Sequence, residues 1–156
     1  GIRSLDVIAR YLDAGVERVI LGTQAVTDPE FLEAAVCRFG SHAAVGVDLK
    51  EGAIAIRGWK ETAPEPAEQF FARLCALGVR TVICTDVSRD GMLGGTNVAL
   101  YRALSQQFDL DLIASGGVSS IEDLQRLKEI GLYGAILGKA LYTGALELRR
   151  ALREVE

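Results

Sequence analysis

The chain has 156 residues, a formal net charge of −4, 49% hydrophobic and 24% charged residues. That balance suits a globular domain with a substantial core and excludes general disorder. No apolar run approaches the roughly 20 residues of a bilayer span, no secretory pattern is visible, and the acidic balance speaks against nucleic acid as the main partner. The expectation is a cytoplasmic protein with no membrane partner. Cys37, Cys75 and Cys84 are scattered through apolar segments and read as core thiols in a reducing compartment. With His42 the only histidine, no metal site is expected. Glycine alone is in excess, with 17 residues, about 11% against a usual ~7%.

In chain order, Leu5, Ile8 and Leu12 share a helical face, and Gly15 follows where a left-handed residue closes a helix. Arg18–Leu21 reads as the first strand, and Asp28-Pro29 as a helix start with proline in the first turn. Ala43–Val47 is the second strand. The segment Leu49–Glu65 is a long insertion carrying the alternating Ala53–Arg57. A helix with Phe70, Leu74 and Leu77 on one face ends at Gly78, ahead of a strand over Arg80–Cys84. After a glycine-bearing loop come a strand at Leu110–Ala114, a helix through Ile121, Leu124 and Leu127 ending at Gly131, and a strand at Gly134–Leu137. Ser119 and Glu122 have capping-box spacing at the start of that last helix. Each β-branched run reads as a strand buried on both faces, as in a parallel sheet covered by helices.

The chain also repeats itself. Residues 1–26 align without a gap on residues 117–142, with Gly1, Ser4, Arg10, Gly15, Ile20, Leu21 and Gly22 matched by Gly117, Ser120, Arg126, Gly131, Ile136, Leu137 and Gly138. Four strands fall within one such period, so two periods hold eight strands in about 232 residues, close to the roughly 250 of a (β/α)8 barrel. The expected fold is therefore α/β, an incomplete (β/α)8 TIM barrel with strands 4 to 8 and their helices. Residues 1–156 form a single partial domain running from the end of strand 3 to the C-terminal helix, and about 75 residues of the implied barrel, its first three units, lie outside the chain. The competing reading is a complete open doubly wound sheet of five strands.

In such a barrel, chemistry sits at the C-terminal ends of the strands. Ser115, Gly116 and Gly117 end one strand ahead of a helix, and Gly138 and Lys139 end the next. Together they are expected to hold a phosphate through closely approaching backbone N–H groups. By the repeat, Gly1 and Arg3 with Gly22 and Thr23 form a second phosphate site, which implies a ligand with two phosphates. Asp48 ends a strand at the mouth and is a candidate for proton exchange, its plain alternative being a structural aspartate. Thr85, Asp86 and Asp90 lie where a strand enters the loop with Gly91, Gly94 and Gly95, long enough to close over a substrate. In the insertion, Arg57 and Trp59 suit a phosphate and a planar ring, or serve to pack the loop on the rim.

Gly1-Ile2-Arg3-Ser4, Gly22-Thr23, Gly46-Val47-Asp48, Arg57-Gly58-Trp59, Cys84–Gly91 and Ala114–Ser120 resemble the phosphoribosylformimino-aminoimidazole carboxamide ribotide isomerase family of histidine biosynthesis. The related cyclase subunit of imidazole glycerol phosphate synthase lacks the Gly22-Thr23, Arg57–Thr62 and Thr85–Ser88 likeness. The resemblance implies an Amadori rearrangement of an aminoaldose to an aminoketose, on a bisphosphorylated small molecule and without a cofactor. It places a general base on strand one, in the segment before Gly1, and matches Asp48 and Asp90 to the two candidates for the acid. Thr85 is implied as a hydrogen-bond partner to the ribose chain. A bifunctional relative that also isomerises phosphoribosylanthranilate, and a non-catalytic phosphate-binding fragment, are the alternatives. On this reading the whole protein is a monomer, while the 156-residue segment is inactive alone and able to associate through open strand edges.

Overall fold

Alternating helix and strand signals produce, in a computed structural model describing residues 1–155, a succession of βα units divided between two compact parts, Gly1–Ile83 and Cys84–Glu156. The first part runs α1 (Leu5–Asp13), β1 (Val19–Leu21), α2 (Thr23–Thr27), α3 (Pro29–Phe39), a 3-10 turn (Gly40–His42) and β2 (Ala43–Lys50). It continues through β3 (Ala53–Ile56), β4 (Glu61–Thr62) and α4 (Ala67–Ala76) into β5 (Thr81–Asp86), which carries the chain into the second part. There follow α5 (Val98–Gln107), β6 (Asp111–Ser115), α6 (Ile121–Glu129), β7 (Gly134–Ala135), α7 (Lys139–Tyr142) and α8 (Leu148–Val155).

Parallel pairing with helical crossovers makes the fold α/β, with the element order of part of a (β/α)8 barrel. In the first part β1 pairs parallel with β2, Val19 opposite Ala43 and Leu21 opposite Val45. The insertion is not a plain loop, because its alternating residues add two antiparallel strands: β3 pairs with β2 and β4 with β3. In the second part β6 pairs parallel with β7, Ile113 opposite Gly134. The core is aliphatic and aromatic, with Ile8, Leu21, Leu32, Val45, Val47, Phe70, Phe71 and Leu74 buried in the first part, and Tyr101, Leu112, Ala114 and Leu124 in the second. Among the described residues no helix is long and apolar enough to cross a membrane.

Four expectations are corrected. Burial on both faces fails for β1 and for the run expected as the last strand: Ile20 is 54% exposed and Ile136 44%, each lining a cleft. The last strand is two residues, not four, and its final ladder bond runs from the Ile136 N–H to the Ala114 carbonyl at 2.8 Å. Cys37 is exposed and Cys75 half-buried, leaving Cys84 as the one core thiol among the three. The capping box is Ser120 with Asp123, not Ser119 with Glu122. Asp123 is buried and its carboxylate accepts from the N–H groups of Ser119 and Ser120, whereas Glu122 points to solvent.

The sequence repeat is repeated in the geometry. Ser4 and Ser120 both cap their helices. Gly15 and Gly131 both have positive φ, at 89° and 73°, and each donates its N–H three residues back, over 2.9 Å in both cases. Gly22 and Gly138 are both residues preceding a short helix, with φ of −102° and −114°. Thr27 and Thr143 each return a hydroxyl hydrogen bond four residues back, at 3.0 and 2.9 Å. Equivalent residues therefore build equivalent strand-to-helix corners.

Candidate active site

Each corner opens onto a cleft. In the first part, Gly1, Ile2, Arg3, Ile20, Gly22, Thr23, Gln24, Thr27, Arg57 and Gly58 line a cleft of about 670 Å³. In the second, Gly116, Gly117, Val118, Ile136, Gly138, Lys139 and Ala140 line one of about 330 Å³, joined by Ser115, Asp90 and Gly91. Six pairs of lining residues are repeat partners: Gly1 and Gly117, Ile2 and Val118, Ile20 and Ile136, Gly22 and Gly138, Thr23 and Lys139, Gln24 and Ala140. The two groups of residues singled out from the sequence as phosphate sites are thus each brought together, and Arg57 joins the first.

Arg57 reaches that cleft through the turn after β3. Its backbone N–H donates to the Thr23 hydroxyl at 3.2 Å, while its guanidinium pairs with Glu61 at 3.0 Å. Arg57, Gly58 and Trp59 all have positive φ, a run that only the glycine accommodates without strain. The turn delivers Trp59 to the end of β2, where its indole N–H donates to the Asp48 carboxylate at 2.8 Å. Asp48 is half-buried and opposite Ala55 in the ladder, and Trp59 remains 41% exposed. The residue read as a ring cover or rim packer also hydrogen-bonds a candidate acid.

In the second part Thr85 is half-buried and Asp86 buried at the end of β5. One Asp86 oxygen accepts from the Ser88 N–H at 2.9 Å and the Ser88 hydroxyl at 2.6 Å; the other accepts from the Asn97 amide at 2.7 Å. Burial raises its pKa, but the hydrogen bonds from Ser88 and Asn97, with Arg89 nearby, outweigh burial and hold the carboxyl below its ordinary value. Asp90 is exposed on the loop that follows and faces the second cleft. Lys139 crosses to that loop and donates to the Gly91 carbonyl at 2.8 Å.

Gly116 and Gly117 have φ of 92° and 80° and pass directly beneath the same loop. A Cβ on Gly116 would lie 2.8 Å from the Asp86 carbonyl, and one on Gly117 2.6 Å from that of Gly95. Here the glycine pair lets two stretches of backbone touch. The Ser115 carbonyl accepts from the buried Tyr101 hydroxyl at 2.7 Å, and the Cys84 carbonyl lies 3.1 Å from the same oxygen. Burial pushes the Tyr101 hydroxyl far above its ordinary pKa, so it stays a proton donor to these strand ends.

Sequence reasoning passed over Ser88, Asn97, Tyr101 and Asp123. Asp86-Val87-Ser88 carried an Asx-turn signal and Asn97 a cap signal ahead of an apolar run. Tyr101 carried none, since its helical position reads only as apolar.

Parallel strands that end in glycine-lined clefts at the starts of helices define an α/β protein of the barrel-forming class. The chain belongs to the histidine biosynthesis protein family, whose model matches residues 1–147. It is similar to isomerases named 1-(5-phosphoribosyl)-5-((5-phosphoribosylamino)methylideneamino) imidazole-4-carboxamide isomerase. With that of Roseiflexus sp. (strain RS-1) it shares 49% identity over 156 residues, covering 100% of this chain and 66% of the relative. With that of Oceanobacillus iheyensis it shares 47% over 152 residues, 97% and 63% of the two chains, and with that of Ruminiclostridium cellulolyticum 43% over 152 residues, 97% and 64%. The chain spans just under two thirds of the length of these relatives.

Proposed function

We propose that these residues contribute to an isomerase of histidine biosynthesis that converts a bisphosphorylated aminoaldose to an aminoketose. The observation that carries this reading is the pair of clefts lined by repeat-equivalent residues. Relatives 43–49% identical are named for a compound with two phosphoribosyl groups, which suits one phosphate per cleft. Gly1, Arg3, Gly22, Thr23 and Arg57 take one, and Ser115, Gly116, Gly117, Gly138 and Lys139 the other, by backbone N–H groups and cationic side chains.

The chemistry is an internal exchange of oxidation level between two carbons. An acid protonates the ring oxygen of the aminosugar, and the nitrogen lone pair opens the ring to an iminium ion. A base then removes the proton on the neighbouring carbon, giving an enaminol, which ketonises by losing its hydroxyl proton and gaining one at the first carbon. The substrate keeps all its electrons, so no cofactor is required. Asp48 and Asp90 are the candidate carboxylates of this chain, Thr85 a partner to the ribose hydroxyls, and Trp59 the ring that orients Asp48. The partnering base is expected on strand one, so this chain alone is expected to turn over no substrate.

Replacing each carboxylate in the full-length protein tests the assignment. One of Asp48→Ala and Asp90→Ala should lower kcat about 100-fold or more, the scale of a lost general acid. If both variants keep rates within a few-fold, neither is the acid and the reading fails.

A further inference from the structure

The loop that presents Asp90 is closed at its base by side chains, and this is a function the proposed reaction leaves unassigned. Asp86 is the last residue of β5 and Asn97 the residue before α5. The Asn97 amide N–H donates to the Asp86 carboxylate at 2.7 Å, and the Asn97 amide oxygen accepts the Leu100 N–H at 3.1 Å to cap the helix. Ser88 supplies two donors to the remaining Asp86 oxygen. The Asp86 carbonyl accepts the N–H groups of Arg89 and Asp90, both at 3.1 Å, so the residue also sets the first turn of the loop. From the far end, the Thr96 hydroxyl donates to the Gly116 carbonyl at 3.2 Å. At only 5% exposure and with both oxygens engaged by protein donors, Asp86 offers no carboxylate to a ligand.

We infer that Asp86 and Asn97 form a clasp that joins the two ends of the loop and positions Asp90 toward the second cleft, so that Asp86 is a positioning residue rather than a substrate contact. The inference rests on the proton-transfer role proposed for Asp90. The pair needs one carboxylate and one amide: amides at both positions set a donor against the Ser88 or Asn97 donors, and carboxylates at both set acceptor against acceptor. Exchanging the two residues restores a carboxylate–amide pair, and aspartate at 97 still caps α5.

The test compares Asp86→Asn, Asn97→Asp and the double exchange in the full-length protein. Two readouts are taken, steady-state kinetics and the rate of tryptic cleavage after Arg89, an exposed loop residue. Each single variant should lower kcat about tenfold or more with KM changed less than threefold, because misplacement costs rate. Each should also speed cleavage at Arg89, and the double exchange should return both readouts to within about threefold of the parent. A double exchange that regains protection at Arg89 while kcat stays low would show that position 86 needs its carboxylate for the chemistry, overturning the assignment. Unchanged cleavage in both single variants would show that no clasp exists. If Asp90→Ala leaves kcat intact, it is the proton-transfer role of Asp90 that fails, and the clasp stands or falls on the cleavage rates.

Discussion

Asp86 shows how a position legible as important in the sequence takes its partners from the tertiary structure. The pair Thr85-Asp86 at a strand end suggests substrate chemistry, yet three donors hold the carboxylate inside its own loop. Those donors lower its pKa below the ordinary 3.8 against the opposing effect of burial. The stabilisation from the charged form is therefore complete above pH 3.8 and is lost as pH falls through the lower native value. The stability gap between the parent and Asp86→Asn should be widest near neutral pH and shrink on acidification below 3.8. Urea midpoints across that range measure it, and a gap independent of pH would refute a charged carboxylate at this site. Trp59 makes the same point in the first part of the chain. A lone tryptophan in an insertion carries no information about its partner, and only the strained Arg57–Trp59 turn brings it to Asp48.

Among the elements, α6 is the one whose start is chemically over-determined. The Ser120 hydroxyl accepts the Asp123 N–H at 3.1 Å, and the Asp123 carboxylate accepts from the Ser119 N–H, the Ser119 hydroxyl and the Ser120 N–H at 3.0, 3.1 and 3.2 Å. These bonds fix the backbone just after Gly116-Gly117, at the wall of the second cleft. Ser120→Ala should cost about 1 kcal/mol, the usual loss of a cap. Asp123→Ala should cost more, since it strands three half-buried donors on Ser119 and Ser120. Glu122→Ala should stay within about 0.5 kcal/mol. Denaturant titration of the three variants checks the order, and a larger loss at Glu122 would return the box to the pairing read from spacing. That spacing pointed to the wrong pair because serine occupies both 119 and 120 and an acid both 122 and 123. Which pair is used depends on the φ and ψ of the turn, and here Ser120 is the extended residue.

For the molecule as a whole, the repeat is the organising fact. Seven identities in 26 positions are a thin signal in sequence, but the serines and glycines among them sit at caps, corners and cleft walls, where backbone conformation favours the residue type. Gly15 and Gly131 close helices at positive φ, and Gly22 and Gly138 begin short helices from matching conformations. On the two-phosphate reading, both clefts serve one substrate class. Arg3→Ala and Lys139→Ala in the full-length protein should each raise KM about tenfold or more, the loss of a charge-assisted hydrogen bond. An unchanged KM in either variant would remove the corresponding cleft from substrate binding. Lys139 also holds the Gly91 carbonyl, so its variant should lower kcat as well, which Arg3→Ala should not.

The sequence by itself determined what depends on local chemistry and short periods. It set the alternation of helices and strands, the glycines at helix ends and Asp28-Pro29 as a helix start, each from torsional preference or from side chains a few residues apart. The two groups of residues that meet in the clefts followed from the internal repeat, which places equivalent glycines at equivalent corners. Tertiary structure alone decided that Leu49–Glu65 adds strands to β2, that Trp59 belongs to Asp48, and that Asp86 belongs to Ser88 and Asn97. It also decided that Cys37, Ile20 and Ile136 are exposed. Partners distant in sequence, and the cover over an apolar face, are set by which elements pack together, and no local pattern encodes that. The excess glycine joins the two scales: its torsional freedom is written in the sequence, while at Gly116 and Gly117 the reason for it is a second stretch of backbone, from Asp86 to Gly95, lying against the pair.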